Sequence, residues 1–241
     1  MNRKQLIIFL QKISLNQTCN KIFITTDKKG WSVVAKDESN ASMLKCDWKV
    51  KGDLDGGLGI YDVSQFKKFL NLLTDEELKL EVLTSKKEEN YKLLLRSSNM
   101  EVEYFLAGED SIPEVKYNLR DNIEYNFEFE IDEQLSASII KSLDTTQTKF
   151  MMFEIQKKKL FVIIGDSDNA ENIVRIQINN FKILNPTEIT TKAFQPEIIR
   201  NILQVNKTVK AKLSMGNILT LENRDNDMKV EYHTIAIKHN R

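Results

Sequence analysis

Proline and glycine are scarce in this chain, at three and eight of 241 residues. That argues against long disordered linkers and leaves packed elements joined by short turns. Cysteine is scarcer still. Cys19 and Cys46 are too few for a disulfide framework and have no metal-ligand spacing. The two histidines, His233 and His239, have no convincing nucleophile or third ligand to work with. No apolar run approaches the roughly 20 residues needed to span a bilayer. Arg3 and Lys4 precede an apolar stretch, but Gln11 and Lys12 break it and no A-x-A-like site follows, so a signal peptide is not expected. A cytoplasmic location, the host cytoplasm for a viral protein, fits this usage. The G-x-x-x-x-G-K-[ST] phosphate loop is missing, which excludes ATP hydrolysis of that type. Asp53 with Asp55, and Asp166 with Asp168, lie in glycine-containing turns that favour aspartate for backbone reasons. The expectation is therefore a protein that is not an enzyme, with no cofactor and no metal. Net charge is missing too: Lys+Arg and Asp+Glu both number 35, so only the placement of charge is informative.

What is present is an ordinary globular composition, 41% hydrophobic and 29% charged, and a repeat. Met100-Glu101-Val102-Glu103-Tyr104 returns as Met228-Lys229-Val230-Glu231-Tyr232, both with the period of a half-buried strand. The rest of the chain repeats at a similar offset. In the first half, apolar residues Leu6, Phe9, Leu10 and Ile13 predict a helix over 3–15. Strands are expected at Lys21–Thr26, Trp31–Ala35 and Ala41–Val50, the first two joined by the turn Asp27-Lys28-Lys29-Gly30, and Gly52–Gly57 reads as a loop. A helix over 63–73, capped by Asp62 or Ser64, buries Phe66, Phe69, Leu70 and Leu73. Strands at Leu78–Leu83, Tyr91–Arg96 and Met100–Ala107 complete this half.

The second half begins with a strand at Glu124–Glu130 and a helix at 132–143. Strands follow at Lys149–Gln156, Leu160–Ile164 and Ile173–Asn180. A helix at 196–204 opens on Pro196, a residue suited to the first helical position. Strands at Lys210–Leu213, Ile218–Leu221 and Lys229–Ile237 end the order. Two similar α+β domains with mostly antiparallel sheets are expected: residues 1–107 and 123–241, joined by a connector over 108–122.

This layout resembles the DNA sliding clamps, the polymerase processivity factors, and within them the clamp of T-even-type bacteriophages. The specific stretches are Gly59-Ile60-Tyr61-Asp62-Val63-Ser64-Gln65-Phe66 and Phe105-Leu106-Ala107-Gly108-Glu109-Asp110-Ser111-Ile112-Pro113-Glu114-Val115. The resemblance spans the whole chain and implies a homotrimeric ring. Helices would line the hole, sheets would form the outside, and duplex DNA would pass through without sequence readout. Its partners would be a replicative DNA polymerase, the clamp loader ATPase and two further copies of itself, with no membrane. The alternative is a duplicated structural or scaffold protein of a phage, which assembles without handling DNA.

Three residue sets follow. Outward-facing cations on or beside the four helices are the expected DNA contacts: Arg3, Lys4, Lys12, Lys67, Lys68, Lys141, Arg200 and Lys207. Phosphate neutralisation without base contacts is what a sliding grip requires. Polar helix faces carry lysines in other proteins too, so composition alone leaves both readings open. From the resemblance, Val102 and Tyr104 with Ile176 and Ile178 would form the subunit joint, unless both strands pair inside one chain. A pocket for partner peptides would use Ala41, Met43, Ile112, Pro113, Val115, Ile235 and Ile237, unless Ile112 and Val115 merely staple the connector to the core.

Overall fold

The computed structural model describes residues 1–15, 18–37, 39–50, 54–85, 90–112, 115, 123–165, 172–188, 190–225 and 227–238. It divides into two compact units. Unit 1 holds Met1–Tyr117 with Arg224–Val230, and unit 2 holds Asn118–Asn223 with Glu231–Arg241. The architecture is α+β, and the strand pairings within each unit are antiparallel.

Unit 1 begins with α1 (Arg3–Ile13), whose start is fixed by the Asn2 side chain accepting from the Gln5 N–H at 3.1 Å. The strands β1 (Ile22–Asp27), β2 (Gly30–Lys36), β3 (Ser42–Trp48) and β4 (Gly56–Ile60) form a sheet in the order β4-β1-β2-β3. Helix α2 (Val63–Leu72) is capped by Asp62, whose carboxylate accepts from the Gln65 N–H at 2.8 Å. A three-stranded sheet follows: β5 (Lys79–Thr84), β6 (Asn90–Arg96) and β7 (Glu101–Phe105). The period-3.6 stripe of α1 is buried as expected, with Phe9 wedged between Trp31 and Trp48 at centroid distances of 5.8 and 4.9 Å. Phe66 of α2 meets Tyr104 of β7 at 4.7 Å. Each such buried side chain contributes about 1.5–3 kcal/mol.

Unit 2 repeats the plan. β8 (Phe127–Ile131) precedes α3 (Glu133–Thr146), which Asp132 caps through the Leu135 N–H at 2.7 Å. Next come β9 (Met151–Gln156), β10 (Lys159–Ile164), β11 (Val174–Ile178), β12 (Phe181–Ile183) and β13 (Thr191–Phe194). Then α4 (Pro196–Val205) opens on its proline, and β14 (Val209–Ser214), β15 (Ile218–Asp225) and β16 (Met228–Ile235) finish the order. The sheet β13-β9-β10-β11 matches β4-β1-β2-β3 strand for strand, and β14-β15 with β16 matches β5-β6-β7. The core of unit 2 is built on Phe153, between Phe129 at 5.5 Å and Phe194 at 5.9 Å.

The differences from expectation are local. Gly56 and Gly57 are strand, not loop: β4 pairs with β1 from Ile22↔Ile60 to Thr26↔Gly56. The glycines conceal it because β4 leaves no room for a side chain at Gly57 or Gly59. A Cβ at Gly57 would stand 2.1 Å from Phe23 Cζ, and one at Gly59 2.1 Å from the Ala107 carbonyl oxygen. β12 and β13 are three and four residues long, too short for a period to declare itself. α3 runs on to Thr146 because Ser142, Thr145 and Thr146 bond back to carbonyls one turn earlier and Gln147 closes it at φ 50°. Of the expected connector, Glu109–Ser111 form a single 3₁₀ turn, and Pro113 with 116–122 lies outside the described residues.

Gly59 joins the two stretches quoted above, since its carbonyl accepts from the Ala107 N–H at 2.9 Å. Gly59→Ala is expected to destabilise the protein by about 2 kcal/mol or more in urea titrations, because backbone atoms must move. Gly108→Ala, where the added carbon meets nothing within 4 Å, is expected to leave the midpoint nearly unchanged.

Candidate nucleic-acid interface

The helices set which cations face solvent. In α1, Leu6, Phe9, Leu10 and Ile13 turn inward, leaving Lys4, Gln5, Ile8 and Gln11 exposed. Lys4 is held by Glu76 at 2.8 Å, and that contact keeps the Glu76 carboxyl below the usual carboxylate range. Arg3 is half-buried, with an Nε that has no hydrogen-bond partner. Lys12 corrects the helical-wheel reading. It is only 3% exposed, and its ammonium lies 3.7 Å from Asp225. Burial lowers its pKa, partly offset by Asp225. Near the end of α1 the position that a wheel assigns to solvent is covered by this unit's own Arg224–Val230 segment.

On α2, Lys68 is exposed and Lys67 half-buried, and burial lowers the Lys67 pKa. Neither forms an ion pair among the described residues. In unit 2, Lys141 is exposed on α3. Arg200 of α4 reaches across to Asp144 of α3 at 2.8 Å, and Lys207 lies 3.5 Å from Glu133. Beside α1 is a cleft of about 660 Å³ that the helix-based reading missed. It is lined by Gln5 and Ile8, by Lys28 and Lys29 of the β1–β2 turn, by Lys49 just past β3, and by Asp225 and Asp227. The adjacent lysines in a tight turn were the available signal, since a turn projects both side chains into solvent.

The expected joint residues are placed differently from one another. β7 ends its sheet as an edge strand, and so does β11. Val102 and Tyr104 turn their side chains into the core of unit 1, at 8% and 6% exposure, so any joint at β7 would be made by its backbone and its outward residues. The residues that β7 presents to solvent are Glu101, Glu103 and Phe105. Ile176 is half-buried and Ile178 buried.

Within unit 1, Ala41, Met43 and Val115 are half-buried and Ile112 is buried, its Cδ1 above Gly59. For Ile112 this is the stapling alternative. Pro113 lies outside the described residues. Within unit 2, Ile237 packs on Met152, Ile163 and Ala193, whereas Ile235 is 53% exposed.

Asp53, Asp166, Asp168 and His239 lie outside the described residues. Among the described residues no group of three His, Cys, Asp or Glu could hold a metal, and no helix is long and apolar enough to cross a membrane.

Two repeated α+β units, each with a helix pair and two antiparallel sheets, define a clamp-type architecture. No family model and no curated protein matches this sequence. Solved structures do match it over nearly its whole length. The proliferating cellular nuclear antigen of Entamoeba histolytica superposes with a TM-score of 0.75 at 13% identity, covering 98% of this chain and 96% of that one. The PCNA2–PCNA3 complex of Sulfolobus tokodaii gives 0.73 at 12% identity, with 98% and 97% covered. The chain therefore has the fold of those proteins.

His233 is committed to that fold rather than to chemistry. Its Nδ1 pairs with Thr220 Oγ1 at 2.9 Å, and Thr220 in turn with the Tyr125 hydroxyl at 2.7 Å. Burial pushes its pKa down to about 4, against a smaller upward pull from Glu231. The folded state keeps the ring neutral while the unfolded chain protonates it near 6.5, so stability is intact above about 6.5 and is lost as pH falls towards 4. The loss approaches about 3 kcal/mol. Urea midpoints at pH 7.5, 5.5 and 4.5 are expected to fall more steeply for the native protein than for His233→Gln.

Proposed function

We propose that this chain is a DNA sliding clamp: a polymerase processivity factor that closes as a homotrimer around duplex DNA and tethers a replicative polymerase. The observation that carries this reading is the whole-chain agreement with clamp structures, from α1 to β16. Its closer kinship with T-even-type phage clamps rests on the Gly59–Phe66 and Phe105–Val115 stretches. The clamp is a passive tether, and the energy for opening it comes from a loader ATPase. Lys67, Lys68 and Lys141 on the helices serve as phosphate contacts, in keeping with a grip that reads no bases.

Assembly follows from the edges. By the repeat, β7 corresponds to β16 and β11 to β3. β7 and β11 are left with one side of their backbone unpaired among the described residues, an arrangement that invites pairing with another copy. Three such joints close a ring. The exposed Ile235 is a contact for polymerase or loader segments, which favour an apolar anchor.

The decisive assay is primer extension on circular DNA with the cognate polymerase and loader. Products should lengthen when the protein is added, and unchanged products would reject the clamp in favour of the scaffold reading. Assembly has its own test. The Leu106 N–H points to β6, where it donates to the Tyr91 carbonyl, so by strand alternation the Glu103 N–H points away from β6. Glu103→Pro removes that outward donor without touching the β6 ladder. Light scattering is expected to give three times the 28.0 kDa chain mass for the native protein and mostly single chains for the variant. A variant that stays trimeric would exclude β7 from the joint.

A further inference from the structure

We propose that the two units share the grip on DNA unequally: unit 1 carries most of the helix phosphate contacts, through Lys67 and Lys68 of α2, while acids of unit 2 withdraw Arg200 and Lys207, leaving it Lys141. This rests on the clamp reading and goes beyond it, since the repeat by itself predicts two equal contributions.

The helices of the two units correspond residue by residue. α2 and α4 are both ten residues long, with buried Phe66 and Leu70 in one at the positions of buried Ile199 and Leu203 in the other. That alignment places Lys67 opposite Arg200, each the fifth residue of its helix. Matching buried Phe9 to Ile139 and Ile13 to Leu143 aligns α1 with α3. Asp144 then falls where unit 1 has the buried Ser14, and Glu133 falls where unit 1 has Arg3.

The consequence is a different charge balance at the equivalent helix positions. In unit 2, Arg200 is held by Asp144 and Lys207 by Glu133, Glu197 adds a further exposed acid, and Lys141 is the helix cation left over. In unit 1, the counterparts of Asp144 and Glu133 are not acids, and Lys67 and Lys68 form no ion pair among the described residues. Lys28, Lys29 and Lys49 likewise form none and wall a cleft beside the exposed Gln5 and Ile8 of α1, but the equivalent β9–β10 turn of unit 2 carries the exposed Lys157 and Lys158, so the turns do not distinguish the units. Of the two acids lining that cleft, Asp225 already faces Lys12. A duplex brings a row of phosphates, and counterion release rewards cations that are not already neutralised.

The test is equilibrium binding of a fluorescent 30-base-pair duplex to the intact protein across a salt series. Lys67→Ala with Lys68→Ala is expected to weaken binding about tenfold or more and to flatten the salt slope by about one unit for each lysine in contact. Arg200→Ala with Lys207→Ala is expected to change the affinity less than about twofold. Glu133→Gln with Asp144→Asn, which frees both cations, is expected to tighten binding and steepen the slope. All three sets change surface residues, and matching melting curves and light-scattering masses verify that each variant is folded and assembled. Equal losses from the lysine and Arg200/Lys207 variants, or no gain from freeing Arg200 and Lys207, would overturn the asymmetry while leaving the clamp reading intact. A native protein with no salt-dependent affinity for the duplex would overturn both.

Discussion

Each unit depends on one packing constraint, the fit of a helix stripe of period 3.6 against antiparallel sheet. Leu6, Phe9, Leu10 and Ile13 on α1, and Ile198, Ile199, Ile202 and Leu203 on α4, are buried. Once they are, the rotation of every helix about its axis is set, and with it the identity of every side chain left in solvent. Surface chemistry is therefore a by-product of the core. Lys68, Lys141 and the exposed Gln5 and Ile8 stand where they do because Phe66, Ile139, Leu6 and Phe9 close by on the same helices are apolar and hidden. The same constraint explains the tolerance of the fold to sequence change. At 12 and 13% identity, clamp structures still superpose over 98% of the chain, because packing asks for apolar side chains at the right spacing and little more.

That constraint is also why so much could be read from sequence. All four helices fall within a few residues of the periods that predict them, and the two-unit α+β architecture follows from their repetition. Illegible parts share a physical cause: they depend on what another segment does. Gly56 and Gly57 carry a strand without β propensity because the Asn90 side chain and the Phe23 ring occupy the space their side chains would need. Lys12 is outward on its own helix and buried in the fold because a segment more than 200 residues further along covers it. Tyr104 alternates correctly along β7, yet alternation does not say which face meets the core; the ring contact with Phe66 does.

The candidate site was legible to a lesser degree for the same reason. Counting basic residues on polar helix faces finds Lys4, Lys67, Lys68, Lys141 and Arg200 alike. It cannot see that Lys4 and Arg200 are already occupied by Glu76 and Asp144, because those acids come from a different element in each case. Exposed ion pairs of this kind add little to stability. Their weight lies in what they withdraw from the surface field. A carboxylate 2.8 Å from a guanidinium leaves little net charge to attract a phosphate a Debye length away.

Duplication sharpens that distinction between core and surface. After a gene segment doubles, both copies must keep the same buried stripe, so Phe9 is matched by Ile139 and Leu70 by Leu203. Nothing in the packing ties Arg3 to Glu133 or Ser14 to Asp144, and those positions have drifted to different charge. Main-chain edges behave in the opposite way. An unpaired strand offers the same N–H and C=O groups whatever its side chains, so edges such as β7 and β11 keep their capacity to pair whatever residues they carry. A fold of this kind can thus hold its geometry and its means of assembly while its charge redistributes between units. On the clamp reading, that charge is the part that would set how a duplex is held.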